Sequence, residues 1–242
     1  MKQVLNAIFF DVDETLYATA DFTTQARLEA VKAMVALGLQ ISVEDCYREL
    51  QELISEFGSN YGQHYNKLLQ RLPAACSKGV NSAILVAGAV KAYHDCKRRA
   101  LKVYPDVVDF LRDFQERGVT LGVITHGLEI KQAEKLLRLD VYRYLSPGAI
   151  LITDQIGISK PNPKLYLRAC RQAAVRPREA MYVGDHPRHD VDAANEAGMV
   201  TVRVRRGGRY VSQEGETAPC YEIRTFTELD AILESDFRLP GA

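Results

Sequence analysis

The segment Val4–Leu16, with the sequence VLNAIFFDVDETL, constrains the fold of this chain more than any other. A mostly apolar run over Val4–Phe10 ends in two aspartates, Asp11 and Asp13, which one residue separates. Apolar residues run almost continuously in a parallel strand, because both of its faces are covered. The segment therefore predicts a central strand over Val4–Phe10, with two acidic side chains where it leaves the sheet.

The position of these two acids favours a functional site. Ligands of open α/β sheets bind beyond the carboxyl ends of the strands. Side chains two positions apart on an extended segment point to the same side, so Asp11 and Asp13 can face one site. For a single aspartate the alternative interpretation is a surface turn, whereas the full string through Thr15 requires partner residues elsewhere in the chain.

The composition bounds the class of protein. The 242 residues are 47% apolar, which is enough for a sizeable core and for one large or two modest domains. Lys plus Arg and Asp plus Glu number 31 each, and this balance argues against nucleic-acid or membrane-surface binding through bulk charge. No apolar run approaches the roughly 20 residues of a membrane span, and the N-terminal segment has no signal-peptide pattern. The charge balance and the absence of such a run together predict no nucleic-acid and no membrane partner. Five cysteines without CxxC spacing are typical of a reduced, cytoplasmic protein.

Helical patterns follow one another between residues 17 and 100 without a strand. From Val103 onward, strand and helix patterns alternate instead. Strands are predicted at 119–125, 149–153, 180–185 and 199–204, and helices at 106–116, 128–138, 163–174 and 190–197. This alternation predicts an α/β fold with one parallel sheet and right-handed crossovers, to which the first strand belongs. The C-terminal segment 235–242 is expected to fray.

Polar residues follow the later predicted strands. Thr125 ends the second strand, Lys160 follows the third, Asp185 ends the fourth, and Asp190 lies five residues further on. Together with DVDET, these residues resemble the four motifs of the haloacid dehalogenase (HAD) superfamily, D-x-D-x-T, Thr, Lys and GD-x4-D, in the same order. The resemblance covers essentially the whole chain. It implies a Rossmann-like core formed by residues 1–16 and 101–242, with a small all-helical cap domain inserted after the first strand at 17–100.

The resemblance also implies phosphoryl transfer through an aspartyl-phosphate. Asp11 would be the nucleophile, and Asp13 would protonate the leaving oxygen and then accept a proton from water. Thr125 and Lys160 would bind the phosphate. The expected cofactor is Mg²⁺, held by Asp11, the main-chain carbonyl of Asp13, Asp185 and Asp190. The alternative interpretations are a solvated loop position for Lys160, and a turn and a helix cap for Asp185 and Asp190.

The substrate side of the site is less defined. His126 stands where the superfamily usually has Asn or Asp, and we expect it to influence substrate fit. Asn60 and Tyr61, in a helix break of the inserted domain, are candidates to bind the organic part of the substrate, with helix packing as the alternative. The segments FGSNYGQHYNKLLQRL and GVITHGLEIKQAEKLLRL resemble an archaeal-type subgroup, to some members of which glyceraldehyde 3-phosphate phosphatase activity is assigned.

Asp13 separates the reactions of the superfamily. The dehalogenases and the phosphonate-cleaving branch lack this acid, so its presence favours hydrolysis of a small phosphorylated metabolite. A phosphoglucomutase-type phosphotransferase shares all four motifs and stays open as an alternative. A catalytically silent binding module should have lost Asp11, Asp13, Lys160 or Asp185, and all four are present.

Overall fold

The computed structural model describes residues 2–18, 20–208 and 210–240. The chain divides there into two units. Met1–Thr19 and Lys102–Ala242 form the first, which we call the core unit, and Ala20–Leu101 form the second, the helical unit.

The described part of the core unit contains eight strands: β1 (Gln3–Val4), β2 (Ala7–Phe10), β3 (Thr120–Thr125), β4 (Ile150–Ile152), β5 (Ala180–Gly184), β6 (Val200–Val204), β7 (Tyr221–Ile223) and β8 (Phe237–Arg238). Six of them form one sheet in the order β4-β3-β2-β5-β6-β7, and every pairing in it is parallel. Strands β1 and β8 form a separate parallel pair. The predicted α/β fold with a parallel sheet is confirmed.

The helical unit contains four α-helices within its described residues: α1 (Ala20–Ala36), α2 (Val43–Phe57), α3 (His64–Arg71) and α4 (Ser82–Ala100). Side-chain caps define where two of them begin, because an unpaired helical N–H needs an acceptor. Ser42 Oγ accepts a 3.0 Å hydrogen bond from Asp45 N at the start of α2, and Asn81 Oδ1 accepts a 2.9 Å bond from Ala83 N at the start of α4. The four helices share one apolar core, to which Met34, Leu50, Leu53, Leu68 and Leu85 contribute.

The helices of the core unit lie between its strands in sequence: α5 (Pro105–Glu116), α6 (Glu129–Arg138), α7 (Thr153–Ile156), α8 (Pro163–Gln172), α9 (Ala193–Glu196) and α10 (Phe226–Asp236). A π-helical turn over Pro187–Asp192 leads directly into α9. No helix of the described residues is long and apolar enough to cross a membrane.

Strand β2 is buried on both faces, and this explains its unbroken apolar sequence. Phe9 packs in a cluster with Leu165 and Tyr166 of α8. Phe10, on the opposite face, stacks on Phe226 of α10 at 5.7 Å and meets Phe110 of α5 edge-on at 6.1 Å between ring centroids. The helices on the two sides therefore hold β2 in the middle of the sheet.

Two predictions about the chain ends are wrong. The predicted single strand over Val4–Phe10 is divided, since Gln3 and Val4 pair with Phe237 and Arg238 rather than with the main sheet. The same pairing contradicts fraying of the segment from 235 onward. The side chain of Phe237 is buried, and burial of an aromatic ring stabilises the final strand. Residues 241–242 lie outside the described residues.

Candidate active site

The register of the sheet brings the polar strand ends to one edge. Phe10 of β2 pairs with Val123 of β3 on one side and with Val183 of β5 on the other. The residues that follow these positions therefore leave the sheet side by side. Asp11, Thr125 and Asp185 are all buried at this edge, as the strand-end positions in the sequence predict.

A tight turn follows Asp11. Asp11 N donates a 2.9 Å hydrogen bond to Val183 O, and Leu16 N donates a 3.1 Å bond to Val12 O, which closes the turn. Glu14 has φ +57°, a left-handed conformation that is uncommon for a residue other than glycine and that lets the chain reverse here. Thr15 Oγ1 is buried and has no hydrogen-bond partner among the described residues.

Lys160 lies at the centre of the buried polar groups. Its Nζ donates hydrogen bonds to Asp11 Oδ1 at 2.6 Å, to Asp190 Oδ1 at 2.8 Å and to the hydroxyl of Tyr182 at 2.6 Å. Burial lowers the pKa of Lys160, but Asp11 and Asp190 raise it by more, so the ammonium stays charged. The interpretation of Lys160 as a solvated loop residue is therefore wrong.

Three buried carboxylates, two of them bonded to this ammonium, lie close together. One oxygen from each of Asp11, Asp185 and Asp190 lies within 4.8 Å of the others. Burial raises the pKa of Asp11 to about 7, against the opposing effect of Lys160 and together with the charges of Asp190 and Asp13. Burial and then the charges of Asp190 and Asp11 raise the pKa of Asp185 to about 9. Lys160 can neutralise only one of the three carboxylates, so the other two are stabilised by protons or by a bound cation.

The cluster fits a hard divalent cation. Asp185 Oδ2 is buried and has no hydrogen-bond partner among the described residues. A buried carboxylate oxygen without a hydrogen bond lowers the stability of the fold unless a proton or a cation binds it. Mg²⁺ takes one or two carboxylates together with waters and phosphate oxygens. Asp11, Asp185 and Asp190 could therefore hold this ion.

Asp190 is fixed by hydrogen bonds on both of its oxygens. Oδ1 accepts from Lys160 and, at 3.1 Å, from the Tyr182 hydroxyl, while Oδ2 accepts from His186 N at 3.0 Å. A Cβ atom at Gly184 would lie 2.4 Å from Asp190 Oδ2, so only glycine permits this approach. The geometry fixes the orientation of the Asp190 carboxylate.

His186, not Asp190, caps the turn that contains Asp190. His186 Nδ1 accepts hydrogen bonds from Arg188 N at 3.2 Å and from His189 N at 3.1 Å. The His186 ring also stacks on that of His189 with centroids 4.0 Å apart. The helix-cap interpretation of Asp190 is therefore wrong, and its carboxylate is used for contacts within the cluster.

Thr125 and His126 differ in their surroundings. Thr125 Oγ1 is buried and has no hydrogen-bond partner among the residues that the structure describes. The exposed His126 has Nδ1 at 3.1 Å from Ser159 Oγ, and its main-chain carbonyl accepts a 2.8 Å bond from Gln132 Nε2. Thr125 thus offers an unused hydroxyl beside Asp11, and His126 presents an imidazole on the surface next to it.

Asp13 is held by two residues that the sequence analysis missed. Lys135 Nζ of α6 donates to both of its carboxylate oxygens, at 2.8 Å and 2.7 Å, and the Tyr17 hydroxyl donates to Oδ1. Tyr182 was missed as well. A tyrosine in the otherwise aliphatic strand 180–184 is a signal that could have identified it, but no local pattern distinguishes Lys135 from other surface lysines of a helix.

The two candidate residues from the inserted segment lie in the helical unit, between α2 and α3. The Tyr61 ring stacks on Phe57 at 5.0 Å and meets His64 edge-on at 5.4 Å between centroids. Asn60 is exposed. These ring contacts agree with the alternative that Tyr61 serves in helix packing. A substrate role for Asn60 and Tyr61 stays a prediction.

Comparison with known proteins decides the family. Residues 5–198 match the haloacid dehalogenase-like hydrolases, and this range contains the whole polar cluster. The chain belongs to this hydrolase family. The predicted resemblance to the HAD superfamily is thereby confirmed.

Named relatives of this HAD hydrolase are phosphatases. It is 44% identical to the glyceraldehyde 3-phosphate phosphatase of Methanopyrus kandleri, over 96% of this chain and 98% of the relative. The enzyme of the same name from Methanocaldococcus jannaschii is 33% identical over 96% and 98% of the two chains. Among solved structures, a HAD phosphatase from Thermococcus onnurineus is 25% identical, with a TM-score of 0.65 over 97% of this chain and 100% of that one.

Proposed function

We propose that this HAD hydrolase is a Mg²⁺-dependent phosphatase that hydrolyses a small phosphorylated metabolite through an aspartyl-phosphate, with glyceraldehyde 3-phosphate as the first candidate substrate. The observation that carries the proposal is the buried cluster of Asp11, Asp185 and Asp190 around Lys160. The 44% identity to a glyceraldehyde 3-phosphate phosphatase over nearly the full chain supports the choice of substrate.

In the first step, a carboxylate oxygen of Asp11 attacks phosphorus. The bond between phosphorus and the ester oxygen breaks, and Asp13 gives its proton to that oxygen, so the alcohol leaves. The hydrogen bond from Lys160 to Asp11 Oδ1 orients the nucleophile and favours its ionised form. The Thr125 hydroxyl, which lacks a partner among the described residues, donates a hydrogen bond to a phosphate oxygen.

In the second step, water attacks phosphorus of the phosphorylated Asp11. Asp13, now a carboxylate, accepts a proton from the water, and the bond between phosphorus and the Asp11 oxygen breaks. Inorganic phosphate leaves, and Asp11 and Asp13 return to their starting states. The sum of the two steps is ester plus water giving alcohol plus phosphate.

The charge of the site requires a cation. Asp11, Asp185, Asp190 and the main-chain carbonyl of Asp13 would hold Mg²⁺. When bound, this ion supplies the positive charge that lets an anionic carboxylate approach an anionic phosphate ester. His126 of the core unit is proposed to bind the organic part of the substrate, and the same role is proposed separately for Asn60 and Tyr61 of the helical unit.

Phosphate release from glyceraldehyde 3-phosphate and from p-nitrophenyl phosphate, with Mg²⁺ or with EDTA, tests the proposal. We expect hydrolysis of both esters with Mg²⁺, loss of activity in EDTA, and recovery when excess Mg²⁺ is added. Asp11→Asn should lower the rate at least about 10³-fold, because the amide is not a nucleophile. Asp140→Asn is the matched control, since Asp140 lies outside the cluster with φ +56°, a conformation that Asn tolerates.

Three results would contradict the proposal. These are folded protein without metal-dependent turnover, full activity in Asp11→Asn, and conversion of a sugar phosphate into its isomer without phosphate release. The last result would instead support the phosphotransferase alternative.

A further inference from the structure

We propose that Lys135 is a positioning residue for the hydrolytic reaction, which holds the Asp13 carboxyl group in the orientation from which Asp13 acts on the leaving oxygen. This role rests on the proposed function, because it requires Asp13 to act as the acid.

Lys135 and Tyr17 together fix the Asp13 carboxylate. Lys135 Nζ lies 2.8 Å from Oδ1 and 2.7 Å from Oδ2, so one ammonium spans both oxygens. The Tyr17 hydroxyl donates to Oδ1 as well. Lys135 Nζ also lies 5.7 Å from the centroid of the Tyr17 ring, close enough for a cation–π contact. Lys135 and Tyr17 therefore limit rotation of the Asp13 carboxylate about its Cβ–Cγ bond.

This ion pair differs from an ordinary surface pair on the same helix. The side chain of Lys135 is 13% exposed, and it bonds to a residue 122 positions away in the chain. Arg138, one turn further along α6, is 31% exposed and pairs with Glu134 within the helix. Surface pairs of that kind contribute little to stability. Burial of an ammonium costs free energy, and Asp13 supplies the compensating charge for Lys135.

The location of the pair connects it to catalysis. A positioned general acid contributes about 10²- to 10⁴-fold to a rate, and a misplacement of about 1 Å can remove 10²-fold. Lys135 Nζ lies against both oxygens of Asp13, so loss of this contact would let the carboxyl group rotate away from the leaving oxygen. Lys135 is therefore placed to hold Asp13 in position for leaving-group departure.

The dependence on the leaving group distinguishes this role from a structural one. The alkoxide released from glyceraldehyde 3-phosphate is strongly basic and requires protonation, whereas p-nitrophenolate leaves without a proton. We expect kcat/KM of Lys135→Met to fall about 10- to 100-fold for glyceraldehyde 3-phosphate and to change less than about threefold for p-nitrophenyl phosphate. Both esters are measured on the same preparation, so loss of folded protein cancels in the ratio of the two values.

Three further variants complete the test. Lys135→Arg keeps a cation that can span both carboxylate oxygens and should recover most of the ratio. Arg138→Met removes another cation of α6 and should leave the ratio unchanged. Asp13→Asn should change the ratio at least as much as Lys135→Met, and the double variant should lose no more than Asp13→Asn alone, since the two residues act as one unit.

The outcomes separate the two proposals. A ratio that falls in Asp13→Asn but stays at the wild-type value in Lys135→Met overturns the role of Lys135 alone. If the fold-loss in kcat/KM of the double variant equals the product of the losses in Asp13→Asn and Lys135→Met, the two residues act independently, and the role of Lys135 is overturned as well. If wild-type protein hydrolyses neither ester, or if Asp13→Asn leaves the ratio unchanged, the proposed function or its acid assignment fails, and the role of Lys135 falls with it.

Discussion

The ammonium of Lys160 donates a 2.6 Å hydrogen bond to Asp11 Oδ1 across 149 residues of sequence. Both side chains are nearly excluded from solvent, at 3% and 11% exposure. Burial alone would raise the pKa of Asp11, and Lys160 opposes this effect. The pair therefore keeps a buried carboxylate close to ionisation at neutral pH, which is what a nucleophile at this position requires.

Replacement of Lys160 should affect both activity and stability. Lys160→Met leaves Asp11 and Asp190 without their shared cation, and we expect a rate loss of at least about 10²- to 10³-fold. Breaking a buried ion pair costs about 3–5 kcal/mol when the remaining charge stays ionised.

The stability loss in Lys160→Met should depend on pH. Without the ammonium, the pKa values of Asp11 and Asp185 rise further, because Lys160 lowers both. The folded variant then binds more protons than its unfolded chain, and its stability falls as pH rises. Urea unfolding without metal should show a larger loss at pH 8 than at pH 5.5. Lys164→Met, at an exposed position of α8, should change stability by less than about 0.5 kcal/mol at both values. Equal losses at the two pH values would contradict this account.

Tyr182 should matter through its hydroxyl alone. The hydroxyl accepts the bond from Lys160 and lies 3.1 Å from both Ile124 O and Asp190 Oδ1. Tyr182→Phe leaves buried groups without a partner, which costs about 1–3 kcal/mol, and we expect kcat to fall about tenfold. Tyr221→Phe is the control, because the Tyr221 hydroxyl donates a 2.8 Å hydrogen bond to Asp236 Oδ2 rather than to a residue of the cluster. Its kcat should change less than about threefold. Similar kcat values for the two variants would show that Tyr182 only supports packing.

The sequence predicts the main sheet and most of the site because local patterns determine both. A strand covered on two faces must be apolar, as Phe9 and Phe10 are, and parallel strands deliver their last residues to one edge. The strand pattern alone therefore places Asp11 and Asp185 together. It does not identify the partners of Asp13, because the contact with Lys135 depends on how α6 packs in the folded chain.

The elements near the C-terminus were missed for different reasons. Strand β7 has three residues and lies at the sheet edge, so it carries almost no periodic signal. Helix α10 did have a start signal. Thr225 accepts a 3.2 Å bond from Glu228 N, and Glu228 Oε2 accepts a 2.7 Å bond from Arg224 N. The spacing T-x-x-E is typical of a helix start and is the sequence signal for α10.

Gly184 should not tolerate a side chain. In Gly184→Ala the new Cβ would lie 2.4 Å from Asp190 Oδ2 and 2.5 Å from its Cγ, so the carboxylate must move. We expect activity to fall at least about tenfold and Mg²⁺ affinity to weaken, because Asp190 then loses its orientation. Gly148→Ala is the control, since a Cβ there meets no atom within 4 Å. Measurement of kcat and of the Mg²⁺ concentration for half-maximal rate checks both variants, and wild-type values for Gly184→Ala would contradict the role assigned to Asp190.

Binding of Mg²⁺ should release protons. In the metal-free protein, burial raises the pKa of Asp11 to about 7 and that of Asp185 to about 9. A metal ligand must be deprotonated, so binding at pH 6 to 7 should release about one to two protons, and affinity should increase as pH rises towards 9. The pH dependence of metal-free stability has the opposite sign to that of Mg²⁺ affinity. Between the ordinary pKa of a carboxyl group and these raised values, the folded protein holds protons that the unfolded chain has lost, so metal-free stability falls as pH rises.

Titration calorimetry in two buffers of different ionisation enthalpy measures the protons released. Asp185→Asn removes the group with the higher pKa, and we expect about one proton fewer at pH 7 together with weaker binding. Asp140→Asn should behave as the wild type, because Asp140 lies outside the cluster. Heat that does not depend on the buffer would mean that the carboxylates are already ionised before the cation arrives, and that Lys160 offsets the effect of burial more completely than the geometry indicates.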